Sequence, residues 1–345
     1  MVVMLLVGFS DRVSPVSHPL IANVGLLFPL FLALNIAFLV FWLIVAKRKA
    51  VISFVGLIAA YVPVRLYAPL NVPINAPEGC VKVLSYNVFS FSTWKDLDAP
   101  SDILNYILRQ DADIVCLQEA DAVGRKREII DSLMATRYPY SQVSGALKPA
   151  GGDAIEVHSK FPITSFEHIS TANDTYNAMA YKLLTAKNDT TLLIVCHFET
   201  TGLSPEDRTM FKSMVKGELH TDTARMESSR LWHKLGEASA RRTPQAEAVA
   251  AYVKNSKSKN IILTGDFNDT PISYVHHCIA TTLTDCYVAT ANGPGISYHY
   301  NAFYVRIDNI FCSDAWTPYD CHVDNSIDAS DHYPIVCHLK RNGTK

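Results

Sequence analysis

The sequence predicts an α+β chain in which helical membrane segments at the front precede a sandwich of sheets covered by helices. Two observations carry this. No Asp, Glu, Lys or Arg occurs from Val13 to Ala46, and beyond Val81 many short apolar, strand-like runs follow one another with few helical stretches between them. A doubly wound parallel sheet would need a helix after nearly every strand.

Within the charge-free run, Leu26 to Val45 reads LLFPLFLALNIAFLVFWLIV, long enough to cross a bilayer as a helix. A second apolar run, Ala50 to Leu70, contains Arg65, which would snorkel toward lipid headgroups from near a helix end. Met1 to Phe9 is too short to span, so it is either interfacial or the remnant of a longer segment. A cleaved signal peptide fits poorly, because no basic region precedes the apolar run. Lys47, Arg48 and Lys49 separate the two long runs. Basic residues in short loops favour the cytoplasmic side, which would place everything after Leu70 outside. The expected organisation is an anchoring region at 1–70, a Pro-rich linker at 71–79 and one domain over 80–345.

Five basic and two acidic residues precede Cys80, leaving 26 basic and 31 acidic ones, a net charge of −5. That profile is not one built to grip long nucleic acid. The eight cysteines include no CxxC pair, which weakens zinc-ribbon and thioredoxin-like readings. Cys116, Cys196 and Cys337 read as buried small hydrophobes. In an oxidising compartment Cys278 with Cys286, or Cys312 with Cys321, could pair.

After the linker, VKVLSYNV is a strand, SDILNYILRQ an amphipathic helix capped by Ser101, and DIVCLQE a strand again. A second helix is expected over Arg125 to Thr136. Strand candidates follow at AIEVHSKFPI, AMAYKLLTA, TLLIVCHFE, NIILTGDFN, YVRIDNIFC and YPIVCHLK. Between the third and fourth of these, residues 200–259 form a charged helical insertion, expected to break or bend before Pro244. Such an insertion is either a solvated cover or one wall of a substrate entrance.

Polar residues stand where those apolar runs end: Asn87, Glu119, His197, Asp266 with Asn268, Asp308, and Asp331 with His332. Each has a bland reading. Asn87 and the Gly265-Asp266 pair suit turns, His197 a satisfied histidine, and Asp308 a salt bridge. Together they offer carboxylates and amide oxygens suited to a hard divalent cation, and histidines beside aspartates suited to proton transfer.

The motifs SYNV, LQE, GGDAI with SKFPI, CHFE, GDFND, RIDNIF and SDHYPI resemble, in order, those of the endonuclease/exonuclease/phosphatase superfamily, the deoxyribonuclease I-like fold. The front segments and the long insertion are similar to its membrane-anchored bacterial members. The resemblance implies a four-layered α/β/β/α sandwich with one cleft at the strand ends. It implies Glu119 as principal metal ligand, assisted by Asn87 and Asp331, with Mg²⁺ as the ion and Mn²⁺ as its substitute. His332 would pair with Asp308, Asp266 would align or deprotonate water, and Asn268 with His197 would hold phosphoryl oxygens. Three departures stand out: Cys196 where the family more often has Asn, a longer AIEVHSKFPI run, and Ala120-Asp121 in place of the arginine common in DNA-cutting members.

The expectation is thus a Mg²⁺-dependent phosphoesterase of the bacterial inner membrane with its catalytic domain extracytoplasmic. A lipid-borne or small-molecule phosphate ester is favoured as substrate over nucleic acid. The alternatives are a nonspecific nuclease, or an inactive binding domain on the same fold.

Overall fold

Apolar runs covered on both faces become buried strands, and here they assemble into two six-stranded mixed sheets packed face to face. The computed structural model describes residues 1–145, 154–170, 178–186, 189–215, 222–300 and 303–343. Gly151 to Asp153 of the GGDAI motif and Lys345 lie outside the described residues.

At the front are α1 (Val2–Gly8), α2 (Pro19–Ala22), α3 (Phe28–Val45), α4 (Lys47–Ala59) and α5 (Tyr61–Tyr67). Next come β1 (Val81–Asn87), α6 (Asp102–Gln110), β2 (Ile114–Gln118), α7 (Arg125–Ala135), β3 (Tyr140–Ser144) and β4 (Ile155–Ser159). The middle holds β5 (Ile163–His168), β6 (Ala178–Ala186), β7 (Asp189–His197), α8 (Pro205–Val215), α9 (Asp222–Asn255) and β8 (Ile261–Asp266). The chain continues with α10 (Tyr274–Ala280), β9 (Thr284–Asp285), α11 (Cys286–Thr290), β10 (Asp308–Cys312), β11 (Trp316–Val323) and β12 (Ile335–Arg341).

One sheet has the order β11-β12-β1-β2-β4-β3, the other β5-β6-β7-β8-β10-β9. Val83, Cys116, Val195, Ile262 and Ile310 fill the space between them. Leu84, Tyr86 and Leu117, on the opposite face of the first sheet, pack against Ile107 of α6 and Ile130 of α7. Ile194 and Leu263 pack likewise against Val249 of α9 and Val275 of α10. These are the four layers of an α/β/β/α sandwich. Local signals agree with it: the Ser101 hydroxyl accepts from Leu104 N at 3.3 Å, and Asp111 ends α6 in the left-handed region.

Several details differ from the sequence reading. AIEVHSKFPI is two strands rather than one, because the chain leaves the first sheet after Ser159 and enters the second at Ile163. The turn is held by Ser159 Oγ, which accepts from Phe161 N at 2.9 Å. The insertion's second helix is not broken at Pro244 but continues through it for 34 residues in all. Burial of Ala246, Val249 and Val253 against the sheet outweighs the missing amide donor. All eight cysteines are free, so neither Cys278 with Cys286 nor Cys312 with Cys321 is bridged.

Pro19–Val45 is long and apolar enough to cross a membrane, and only 11% of its most apolar window is buried. The second run meets the same test only as the pair α4 and α5, bent by 63°, where Pro63 supplies no amide hydrogen. The Asn35 side chain joins α3 to α4 by donating to Ser53 O at 3.0 Å, a polar link suited to an apolar environment. Arg65 does not reach outward as expected. Its guanidinium donates to Leu70 O at 2.7 Å and to Val288 O at 2.8 Å, so the helical hairpin is docked onto the sandwich. Asn71, at the start of the expected linker, is bonded to Val288, Ala291 and Asn292.

Candidate active site

Strand register collects the polar residues. His197 pairs with Asp266 across the parallel β7 and β8, and Asp266 pairs with Asp308 across the antiparallel β8 and β10. In the facing sheet Asn87 pairs with Gln118, and Glu119 follows at the tip of β2. Asp331 and His332 lie in the loop that leads into β12, which pairs with β1. Both sheets therefore present their polar ends at one edge, where they border a single cleft.

Two backbone features fix that edge. Any Cβ at Gly265 would fall 1.9 Å from Cys196 O, so the position before Asp266 admits only glycine. Glu119 and Asn268 both adopt φ of 51°, a left-handed conformation that costs free energy for residues of their type and clusters at functional sites.

Asn87 Nδ2 donates at 3.1 Å to Glu119 Oε1 and at 3.1 Å to Asp266 Oδ2, joining the sheets, while Asn87 Oδ1 accepts from Phe89 N. His197 Nε2 lies 3.6 Å from Glu119 Oε1. Asp266 Oδ1 accepts from Asn268 N at 2.7 Å, and the Asn268 amide donates to Phe198 O. His332 Nδ1 meets Asp308 Oδ2 at 2.8 Å and its Nε2 faces Asp266 Oδ2 at 3.7 Å. Seven of the eight residues named from the sequence are thus in one connected group, and the eighth, Asp331, borders the same cleft.

Burial raises the Asp266 carboxyl to about 6, with Asp308 adding to the effect and His332 opposing it. For His332 burial pulls the imidazolium down, but Asp308 and Asp266 outweigh it and push it up to about 10. At neutral pH that histidine is a cation held between two carboxyl groups. Burial also raises Glu119, against the hydrogen bond from Asn87.

Among the described residues one group of side chains is close enough together to hold a cation. Asp266, Asp308 and His332 place ligand atoms within 4.8 Å of one another, all buried. There, however, Asp308 and His332 satisfy each other, which leaves few free ligand atoms for a hard cation. Glu119 fits better, because its side chain keeps 21% exposure and, with Asp331, borders the cleft with hard oxygens.

Some residues of this site were not singled out in the sequence. Ser330 Oγ donates to Asn87 O at 2.8 Å and accepts from His332 N, tying the two sides together. Ser297 Oγ accepts from both Ile307 N and Asp308 N. The Tyr298 ring stands edge-on to His332 at 5.0 Å. Ser330 is the first residue of the SDHYPI motif and was within reach of a sequence reading; Tyr298 and Ser297 carry no local signal. The insertion contributes Arg208 from α8 and Arg242 from α9 to the cleft wall, the latter donating to Asp269 at 3.3 Å.

A sandwich whose sheet edges converge on carboxylates and imidazoles is the fold of phosphoesterases and nucleases. The chain belongs to the endonuclease/exonuclease/phosphatase family, whose model matches residues 84–332. Enzymes of that family typically depend on a divalent metal. A second model, a domain of unknown function (DUF8431), matches residues 1–67. No curated protein sequence matches the chain. Among solved structures, truncated Caenorhabditis elegans TDP2 is 14% identical, with a TM-score of 0.53 over 77% of this chain and 99% of that one. The human nocturnin catalytic domain with bound sulfate is 16% identical, with a TM-score of 0.53 over 78% and 97%. Sphingomyelinase C from Streptomyces griseocarneus is 19% identical, with a TM-score of 0.51 over 75% and 99%. At these identities the likeness is one of fold.

Proposed function

We propose that this chain is a membrane-anchored, divalent-metal-dependent phosphoesterase that hydrolyses a phosphate ester by in-line attack of water. The observation that carries this is the placement of Asp266 between the Asn87 amide and the His332 imidazole at the edge of the cleft. A carboxylate so held can align an attacking water and accept its proton. His332, kept cationic by Asp308, offsets charge that develops on the phosphoryl group, and Asn268 and His197 hold its non-bridging oxygens. Glu119, with Asn87 and Asp331, would hold Mg²⁺ or Mn²⁺. When bound, the ion would neutralise phosphate charge in the transition state.

In this reading Pro19–Val45 spans the bacterial inner membrane, and the sandwich faces the extracytoplasmic side because Lys47, Arg48 and Lys49 lie at the far tip of the hairpin. A nuclease is disfavoured by the domain charge of −5 and by Ala120 after Glu119. The test is the full chain in detergent with Mg²⁺, offered phosphodiesters, phosphoinositides, sphingomyelin and plasmid DNA. Metal-dependent release of product from a non-nucleic-acid ester is expected, with DNA cut slowly. Rapid plasmid degradation at physiological salt would replace this reading with the nuclease, and inactivity on every ester with metal present would leave only the binding domain.

A further inference from the structure

The foot of the membrane helix is part of the cleft. Asn23 and Leu26, from the segment Pro19–Val45, line it together with Glu119, Asp266 and His332. This placement is tightly fixed. A Cβ at Gly25 would fall 2.2 Å from Ile272 O, and one at Gly236 would fall 2.3 Å from Pro19 O, so backbone meets backbone on both sides. Trp232 Nε1 donates to Leu20 O at 3.0 Å, and Ser239 Oγ donates to Asn23 Oδ1 at 3.2 Å.

Beside the cleft lies a second cavity of about 200 Å³ with a different lining. Leu26, Pro29, Tyr67, Ile272, Ile296 and Phe303 give it an apolar wall, with no carboxylate among the lining residues. Phe211 of the insertion stacks on Phe303 at 3.8 Å and closes one side. The cavity adjoins the catalytic cleft, since Leu26, Thr270, Phe303 and Val305 border both. Its other end is built from the membrane hairpin itself, at Pro29 and Tyr67. An apolar groove beside a cleft lined by Glu119, Asp266 and His332 matches one kind of molecule, a phosphate ester with a long hydrocarbon chain.

We propose that this groove receives the hydrocarbon chain of a membrane lipid phosphate ester while the phosphate occupies the cleft beside Glu119, Asp266 and His332. The proposal rests on the phosphoesterase reading above. In the reaction the water oxygen bonds to phosphorus, the phosphorus–oxygen bond to the leaving alcohol breaks, and the proton given up by water ends on that alcohol. The foot of the anchor thus forms one wall of the substrate site.

The test compares hexadecyl p-nitrophenyl phosphate with methyl p-nitrophenyl phosphate on the full chain in detergent. The bond broken is the same and only the chain differs. A preference of at least about tenfold in kcat/KM for the hexadecyl ester is expected. Micelle partition alone would also favour the long chain, so the groove is tested by filling it with Ile296→Trp and, separately, Leu26→Trp. Each should bring the ratio toward one, whereas a partition effect would persist. A hexadecyl phosphate bearing a photoreactive diazirine, read by peptide mapping, should label segments 25–29, 294–296 and 303–306. Hydrolysis of neither ester overturns the phosphoesterase reading on which the proposal stands. Hydrolysis with a ratio unchanged in both variants, or label confined to other segments, overturns the proposal alone.

Discussion

His332 Nδ1 and Asp308 Oδ2 lie 2.8 Å apart, both side chains buried, in a contact made between the loop before β12 and the first residue of β10. It is the shorter of the two carboxylate contacts of His332, Asp266 lying at 3.7 Å, so His332 and Asp308 act as one unit. His332→Ala is expected to lower turnover by about 10² or more, and Asp308→Asn to resemble it. The double variant should be little worse than either single one. Steady-state kinetics on the three variants checks this, and losses that multiply would separate the two roles.

Glu119 should behave differently, because it borders the cleft with an oxygen that can meet a cation. Glu119→Gln should weaken Mg²⁺ binding, and part of its lost rate should return at high metal concentration. Metal titrations of rate are the measurement. His332→Ala should show no such rescue, and rescue there would make His332 a ligand.

The hairpin carries Lys47, Arg48 and Lys49 at the end remote from the sandwich, since α5 and the start of the span both dock onto it. An alkaline phosphatase fused after Lys345 should therefore be active in bacteria, as an extracytoplasmic reporter. Activity from a reporter that works only in the cytoplasm would reverse the orientation.

Acid should loosen the helix layer outside the first sheet. Glu156 is fully buried beneath α7, where Arg127 Nη1 donates to it at 2.9 Å and His158 Nε2 lies at 2.9 Å. Burial alone would raise its carboxyl, but His158 and Arg127 outweigh it and lower Glu156 to about 2. A carboxyl held below its ordinary value stabilises the fold above about pH 4.5, and that contribution is lost as the pH falls from there toward 2. Thermal midpoints recorded between pH 7 and 3 should fall for the native chain. Glu156→Gln should start lower, by about 1.5–3 kcal/mol since Arg127 keeps Asp131 as a partner, and show a shallower slope.

The sequence exposed the site better than its setting. Asn87, Glu119, Asp266 and His332 were readable because each ends an apolar run, and a polar residue at such a place contradicts burial unless it has a task. β11 was hidden: Thr317, Pro318 and Asp320 break the apolar pattern, which the strand tolerates because it lies at a sheet edge. β5 escaped separation from β4 because no residue type marks a strand that changes sheets. Arg208 and Arg242 were unreadable as cleft residues, since a charged helix looks alike whether it faces water or a site. The docking of the hairpin was equally silent, because Gly25 and Gly236 announce a close approach only once the opposing backbone is known.

The position of β12 has a consequence for how the protein is made. It is the last described strand in the chain, yet it lies between β11 and β1, pairing with β1 from Val81 opposite Leu339 to Ser85 opposite Ile335. Until residues 335–341 have left the ribosome, β1 has an open edge and the half-site on Asn87 and Glu119 has no His332 to face. The apolar hairpin, by contrast, precedes β1 in the chain and leaves the ribosome before any strand of the sandwich. The order of synthesis therefore separates the hairpin from the site, which is assembled only once residues 335–341 have emerged.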